Sequence, residues 1–129
     1  SDTETPLIEG DFSAKTLKVN GSLNVTGSMT MSVATTITSN TTFNGTETII
    51  PINTSNGFLT ITIDSDQLVA GRILIFKQIG GDGNQWSIDT EGSEQIQQSG
   101  SSGLSDTVNG GNYWVSRNLF TDGINWYEF

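Results

Sequence analysis

Residues 17–28 read LKVNGSLNVTGS, two six-residue units that place Leu, Val and Gly at the same offsets. In the same register the chain continues as MTMSVA, TTITSN and TTFNGT, to residue 46. The third offset holds Val19, Val25, Met31, Ile37 and Phe43, all apolar, while the second and fourth are always polar. Leu17, Leu23 and Met29 occupy the first offset before it turns to threonine. Apolar residues two apart with polar ones between are the signature of a short strand. Gly21, Gly27 and Gly45 share the fifth offset, where a bend needs them. Each unit therefore predicts a strand and a bend, and five in succession predict a solenoid-like or fibrous element.

Such an element cannot bury itself. One or two modest apolar side chains per unit fall far short of the ordering entropy, roughly 1–2 kcal/mol per residue. Three chains wound about one axis, each pointing the same offset inward, would supply the missing contacts. The expected trimer core is Leu17, Val19, Leu23, Val25, Met31, Ile37 and Phe43. Two other foldings fit the same residues: hairpins turning at Asn20-Gly21 and Asn44-Gly45, which are good type I′ pairs, or a left-handed parallel β-helix of the hexapeptide acyltransferase kind. Enzymes of that kind usually employ a histidine base, and this chain has none.

Composition agrees with an all-β chain. Its 129 residues are rich in Ser, Thr, Asn and Gly, which favour strands and turns, and lack runs of good helix formers. Five basic residues against fourteen acidic give a formal charge of −9, which repels phosphate backbones and anionic membranes. No nucleic-acid partner is expected. The absence of cysteine excludes disulfides and thiolate chemistry. No apolar run approaches the roughly 20 residues of a membrane helix, so no membrane insertion is expected. The acidic opening, SDTETPLIEG, does not read as a signal peptide.

Beyond residue 46 the hexads stop and apolar content rises. ETIIPIN and NGFLTITI read as strands, the first demoted to an edge or bulge by Pro51. GRILIFKQI carries Ile73, Leu74, Ile75 and Phe76 in a row, so this strand should be buried on both faces, in a core or against a neighbouring subunit. YWVSRNLF and INWYEF flank Asp122-Gly123 as a hairpin. The organisation expected is an N-terminal extension over 1–14, a repetitive β shaft over 15–46 and a compact antiparallel β-sandwich-like head over 47–129.

The repeat LKVNGSLNVTGS resembles shaft phrases of viral fibres, above all bacteriophage tail fibres and tailspikes and surface fibres of large DNA viruses. The order LTITI, AGRILIFKQIGGDGNQWSIDTEGSEQI and NYWVSRNLFTDGINWYEF is similar to their C-terminal heads, the closing DGINWY most of all. This resemblance implies a parallel homotrimer on the virion surface whose head meets a host-surface receptor, a carbohydrate being one candidate. The last three hexads lose regularity, which leaves open where a shaft would end. A trimerisation or capping module without receptor binding is the alternative.

Chemistry-bearing motifs are sparse. Asp64/Asp66 and Asp89/Glu91 put two carboxylates on one side of a strand, yet no His, Cys or Lys partner lies nearby, and turn roles explain them better. GGDGN lacks the ligand spacing of a phosphate or calcium loop. No catalytic residue, metal site or cofactor is expected. The Asn-x-Ser/Thr sequons at Asn20, Asn24, Asn40, Asn44 and Asn53 fall in a segment saturated with these residue types. Trp86, Tyr113, Trp114, Trp126 and Tyr127 are the candidates for receptor contact, because an exposed ring can stack on a sugar. Alternation puts one member of each adjacent pair in the core. Arg117 is expected to form an ion pair in or near a trimer contact.

Overall fold

The computed structural model describes residues 7–81, 83–100, 103–105, 107–111 and 114–129. Tyr113 lies outside them. The described residues are all-β apart from one 3₁₀ turn, Ser65–Gln67. The strands are β1 (Ile8–Asp11), β2 (Thr16–Val19), β3 (Thr41–Phe43), β4 (Ile49–Asn53), β5 (Leu59–Ile63) and β6 (Ile73–Gly80). They continue with β7 (Trp86–Thr90), β8 (Ile96–Gln97), β9 (Leu104–Ser105), β10 (Thr107–Gly111), β11 (Ser116–Thr121) and β12 (Trp126–Glu128). Among the described residues no helix is long and apolar enough to cross a membrane.

Two compact units divide the chain, residues 1–30 and 31–129. Among its described residues the first has one hairpin, β1 against β2, pairing Ile8 with Val19 and Asp11 with Thr16. Asp11 Oδ1 closes its turn by accepting from the Ser13 and Ala14 amides at 2.9 and 3.0 Å, and from the Ser13 hydroxyl at 2.7 Å. The turn thus falls at residues 12–15 rather than at Asn20-Gly21, because Asp11 supplies the acceptor that organises it.

The second unit winds. Successive strands alternate between two sheets: β3, β5 and β7 lie in a four-stranded sheet, β4, β6 and β8 in a six-stranded one. β3 runs parallel to β5, β5 to β7, and β4 to β6. Parallel neighbours need a crossover, and here each crossover is a strand of the opposite sheet rather than a helix. Val33 and Ile37 extend the coil by pairing in parallel with Ile49 and Ile52. The hairpin β11–β12 then inserts between β6 and β8, antiparallel to β6 and parallel to β8.

Alternation along each strand delivers the core. Leu59, Ile61 and Ile63 of β5 and Trp86 and Ile88 of β7 face Ile50, Ile52, Leu74, Phe76, Leu119 and Trp126 of the other sheet. The Phe76 and Trp86 rings meet across the two sheets at 6.3 Å. Each such side chain contributes roughly 1.5–3 kcal/mol on full burial. Gly110 passes so close to Trp86 that a Cβ there would sit 2.1 Å from the indole, which explains a glycine inside β10.

At one end of the sandwich a polar knot redirects the chain between sheets. Gln78 Nε2 donates to Thr54 Oγ1 at 2.9 Å, and that hydroxyl donates to the Gly81 carbonyl at 2.8 Å. Asn84 Nδ2 bonds the Thr54 carbonyl at 2.8 Å. Gly81, at φ +87°, approaches the Thr54 backbone within 2.3 Å of where a Cβ would lie, so no other residue fits.

Two expectations are corrected. The head is a sandwich of mixed sheets rather than an antiparallel one, since residue alternation carries no information on strand direction and the knot sends the chain across instead of back. The compact unit begins at Met31, not at residue 47. Phe43 is buried at 7 % exposure and Ile37 packs against the same core, so these two hexad residues fill their own chain instead of an axis between chains. Nor does Asn44-Gly45 turn a hairpin: β3 pairs with β5, not with β4. Pro51 behaves as its chemistry requires, in a strand whose register with β6 shifts just beyond it.

Candidate functional site

The two outer faces of the sandwich differ in chemistry. On the four-stranded sheet the positions that alternate with the core are Thr42, Thr60, Thr62, Ser87, Asp89, Thr107 and Asn109. Their hydroxyls bond one another and the carboxylate: Thr60 Oγ1 lies 3.1 Å from Ser87 Oγ, and Thr107 Oγ1 donates to Asp89 at 2.9 Å. This is a face built for water.

The six-stranded sheet presents the opposite. Laterally paired outward positions run Val33, Ile49, Ile75 and Asn118 in one row. A second row runs Ile73, Phe120, Tyr127 and Gln97. Phe120 stacks on Tyr127 at 5.3 Å and meets Phe129 edge-on at 5.9 Å. Ile73, Phe120, Ile79 and Phe129 keep 37, 40, 47 and 62 % of their surface exposed. An apolar patch of this kind on an outer sheet face is the type of surface that interacts with a partner. β6 is thus apolar on both faces but covered on only one.

Electrostatics at the rim of this patch are set by Asp122. Its Oδ1 accepts from the Ile124 and Asn125 amides at 2.8 and 2.9 Å, and its Oδ2 accepts from the Tyr127 hydroxyl at 3.0 Å. The Asn125 and then the Ile124 amide hold the carboxyl below its ordinary pKa. The same hydrogen bond to Asp122 raises the Tyr127 phenol above its own. The hairpin at Asp122-Gly123 is where the sequence put it.

The expected contact residues separate. Trp86 and Trp126 are fully buried and belong to the core, which corrects their assignment as receptor-contact candidates; both sit on the inward parity of their strands. Trp114 is 52 % exposed, and Tyr127 is half-buried in the apolar patch. Trp114 also has φ +52°, a left-handed conformation uncommon for a bulky residue, and Lys77 donates to its carbonyl. Of the hexad residues in the first unit, Leu17 and Leu23 are each 70 % exposed, Val25 is exposed too, and Val19 is half-buried. Met31 opens the second unit and is exposed.

Arg117 forms its expected ion pair, with Glu128 of the same chain at 2.6 Å. Three of the carboxylates weighed for chemistry, Asp64, Asp89 and Glu91, accept structural hydrogen bonds. Asp64 caps the 3₁₀ turn through the Asp66 amide, Glu91 accepts from the Ser65 amide, and Asp89 from Thr107. Among the described residues no three His, Cys, Asp or Glu side chains gather to hold a metal ion. Phe120, Phe129 and Ile79, exposed on the outer face with Ile73, were not singled out by the sequence, which pointed to this face only through the consecutive apolar residues Ile73, Leu74, Ile75 and Phe76 of β6. No protein-family model matches the chain, and neither does any curated protein or solved structure.

Proposed function

We propose that this chain is part of a homotrimeric viral fibre of the phage tail-fibre, tailspike or large-DNA-virus kind, whose head attaches the virion to a host-surface receptor. One observation carries the reading. Among the described residues the N-terminal unit holds a single two-stranded hairpin, and Leu7, Ile8, Phe12, Leu17, Leu23 and Met29 all lie exposed in the single chain. An isolated hairpin is marginal in water, and apolar residues repeated at fixed offsets gain by association with identical copies. Receptor contact falls to the head through Trp114, an exposed ring suited to stacking on a sugar. Three heads engaging together would multiply weak single sites by factors up to about 10²–10⁴.

The burial of Trp86 and Trp126 favours a second reading, in which the head only caps and registers the trimer. Light scattering coupled to size exclusion tests the common premise: a mass of three chains is expected, and a single-chain mass overturns it. Glycan-array and host-cell binding then separate the two readings. Trp114→Ala should lower binding at least tenfold while leaving the mass unchanged. A trimer that binds no host surface is the capping module.

A further inference from the structure

We infer that the outer face of the six-stranded sheet is the surface on which the head packs against further copies of itself. The inference rests on the homotrimer proposed above and adds the surface that the head contributes. Ile73, Ile75, Ile79, Phe120, Tyr127 and Phe129 form this face, opposite a face of threonine, serine and asparagine on the same sandwich. One outer face is wet and the other dry, although both come from equally alternating strands.

Charge identifies the occupant. The chain carries −9, yet among the described residues no strand position on the dry face holds a carboxylate. Glu128, the acid of β12, points inward to Arg117. Lys77, the one cation on the face, is turned to the Trp114 carbonyl. A basic partner would be met most favourably through carboxylates, and among the described strand positions Asp89 stands on the other face. A face with no carboxylate in its interior, Asp122 standing at its rim on the Tyr127 hydroxyl, suits instead a partner carrying the same −9, since two copies meet there with the least like-charge repulsion. Aromatic side chains grouped with isoleucine and stripped of acids are also the composition of an interface centre.

Because the chain lacks cysteine, single cysteines read the contact cleanly in the full chain. Asn118 lies on the dry face beside Ile75, and Thr62 on the wet face beside Thr42. Asn118→Cys should give covalent dimers with a long bifunctional thiol crosslinker at low protein concentration, because copies about a three-fold axis need not bring the same residue into direct contact, and Thr62→Cys should not. Phe120→Glu should raise the concentration at which the assembly dissociates at least tenfold, with Thr62→Glu unchanged.

A three-chain wild type in which both dry-face variants behave like the wet-face ones overturns this inference and leaves the trimer standing. A two-chain wild type that crosslinks through Asn118→Cys supports the surface and overturns the trimer. A single-chain wild type overturns both. Should Phe120→Glu fail to fold, the crosslink decides, since Asn118→Cys alters neither core nor charge.

Discussion

Gly110→Ala tests how the head closes over Trp86. The added methyl would stand 2.1, 2.3 and 2.4 Å from Trp86 Cδ2, Cε3 and Cε2, where carbons normally rest about 3.5–4.0 Å apart. The indole cannot retreat easily, being fully buried and set 6.3 Å from the Phe76 ring across the sandwich. Overpacking of this kind costs about 1–3 kcal/mol, while replacing glycine recovers about 0.4–1 kcal/mol of chain entropy from the unfolded state. The expected net loss is about 1–2 kcal/mol, or a fall in Tm of roughly 4–16 °C for a domain this size. Urea titration at fixed protein concentration, followed by tryptophan fluorescence, measures it directly. Adding Trp86→Phe should make the pair cost less than the sum of its parts, because the smaller ring vacates space. A midpoint equal to or above that of the parent would refute the packing argument.

Other substitutions probe separate contacts. Glu128→Ala strands Arg117, whose side chain is only 25 % exposed, and should cost about 2 kcal/mol; Arg117→Met with Glu128→Leu should restore most of it, and a urea midpoint unmoved by the single change would contradict the pairing. Thr54→Val removes the hydroxyl shared by Gln78 and the Gly81 carbonyl in a fully buried position, so thermal melts should show a loss of about 1–3 kcal/mol, whereas a shift under one degree would dismiss the knot. Asp122 is held below its ordinary pKa by the Asn125 and Ile124 amides. Its contribution is complete above the unfolded value, about 3.9, and is lost as pH falls through the lower folded value. Asp122→Asn should therefore flatten the acid limb of the stability profile below about pH 4, and an unchanged limb would assign that limb to other carboxylates.

Local chemistry alone decided a good deal. Period-2 alternation in LTITI and its neighbours made the chain all-β, Asp122-Gly123 made the last hairpin, and Pro51 weakened its strand, since each of these is a property of a few adjacent residues. Even the unusual character of the dry face was present in ILIFKQI, whose apolar residues do not alternate. Three things required the folded chain. Strand direction did, because Thr54 and Gly81 meet across many intervening residues to turn the chain into the other sheet. The fate of the hexads did as well: Ile37 and Phe43 share their offset with Val19 and Val25, but only the former lie beside β4 and β5, where a core awaits them. The same holds for the aromatics. Trp86 and Trp126 differ from Trp114 in no local feature that says which ring is buried, and it is the partner sheet, not the neighbouring residue, that covers a side chain.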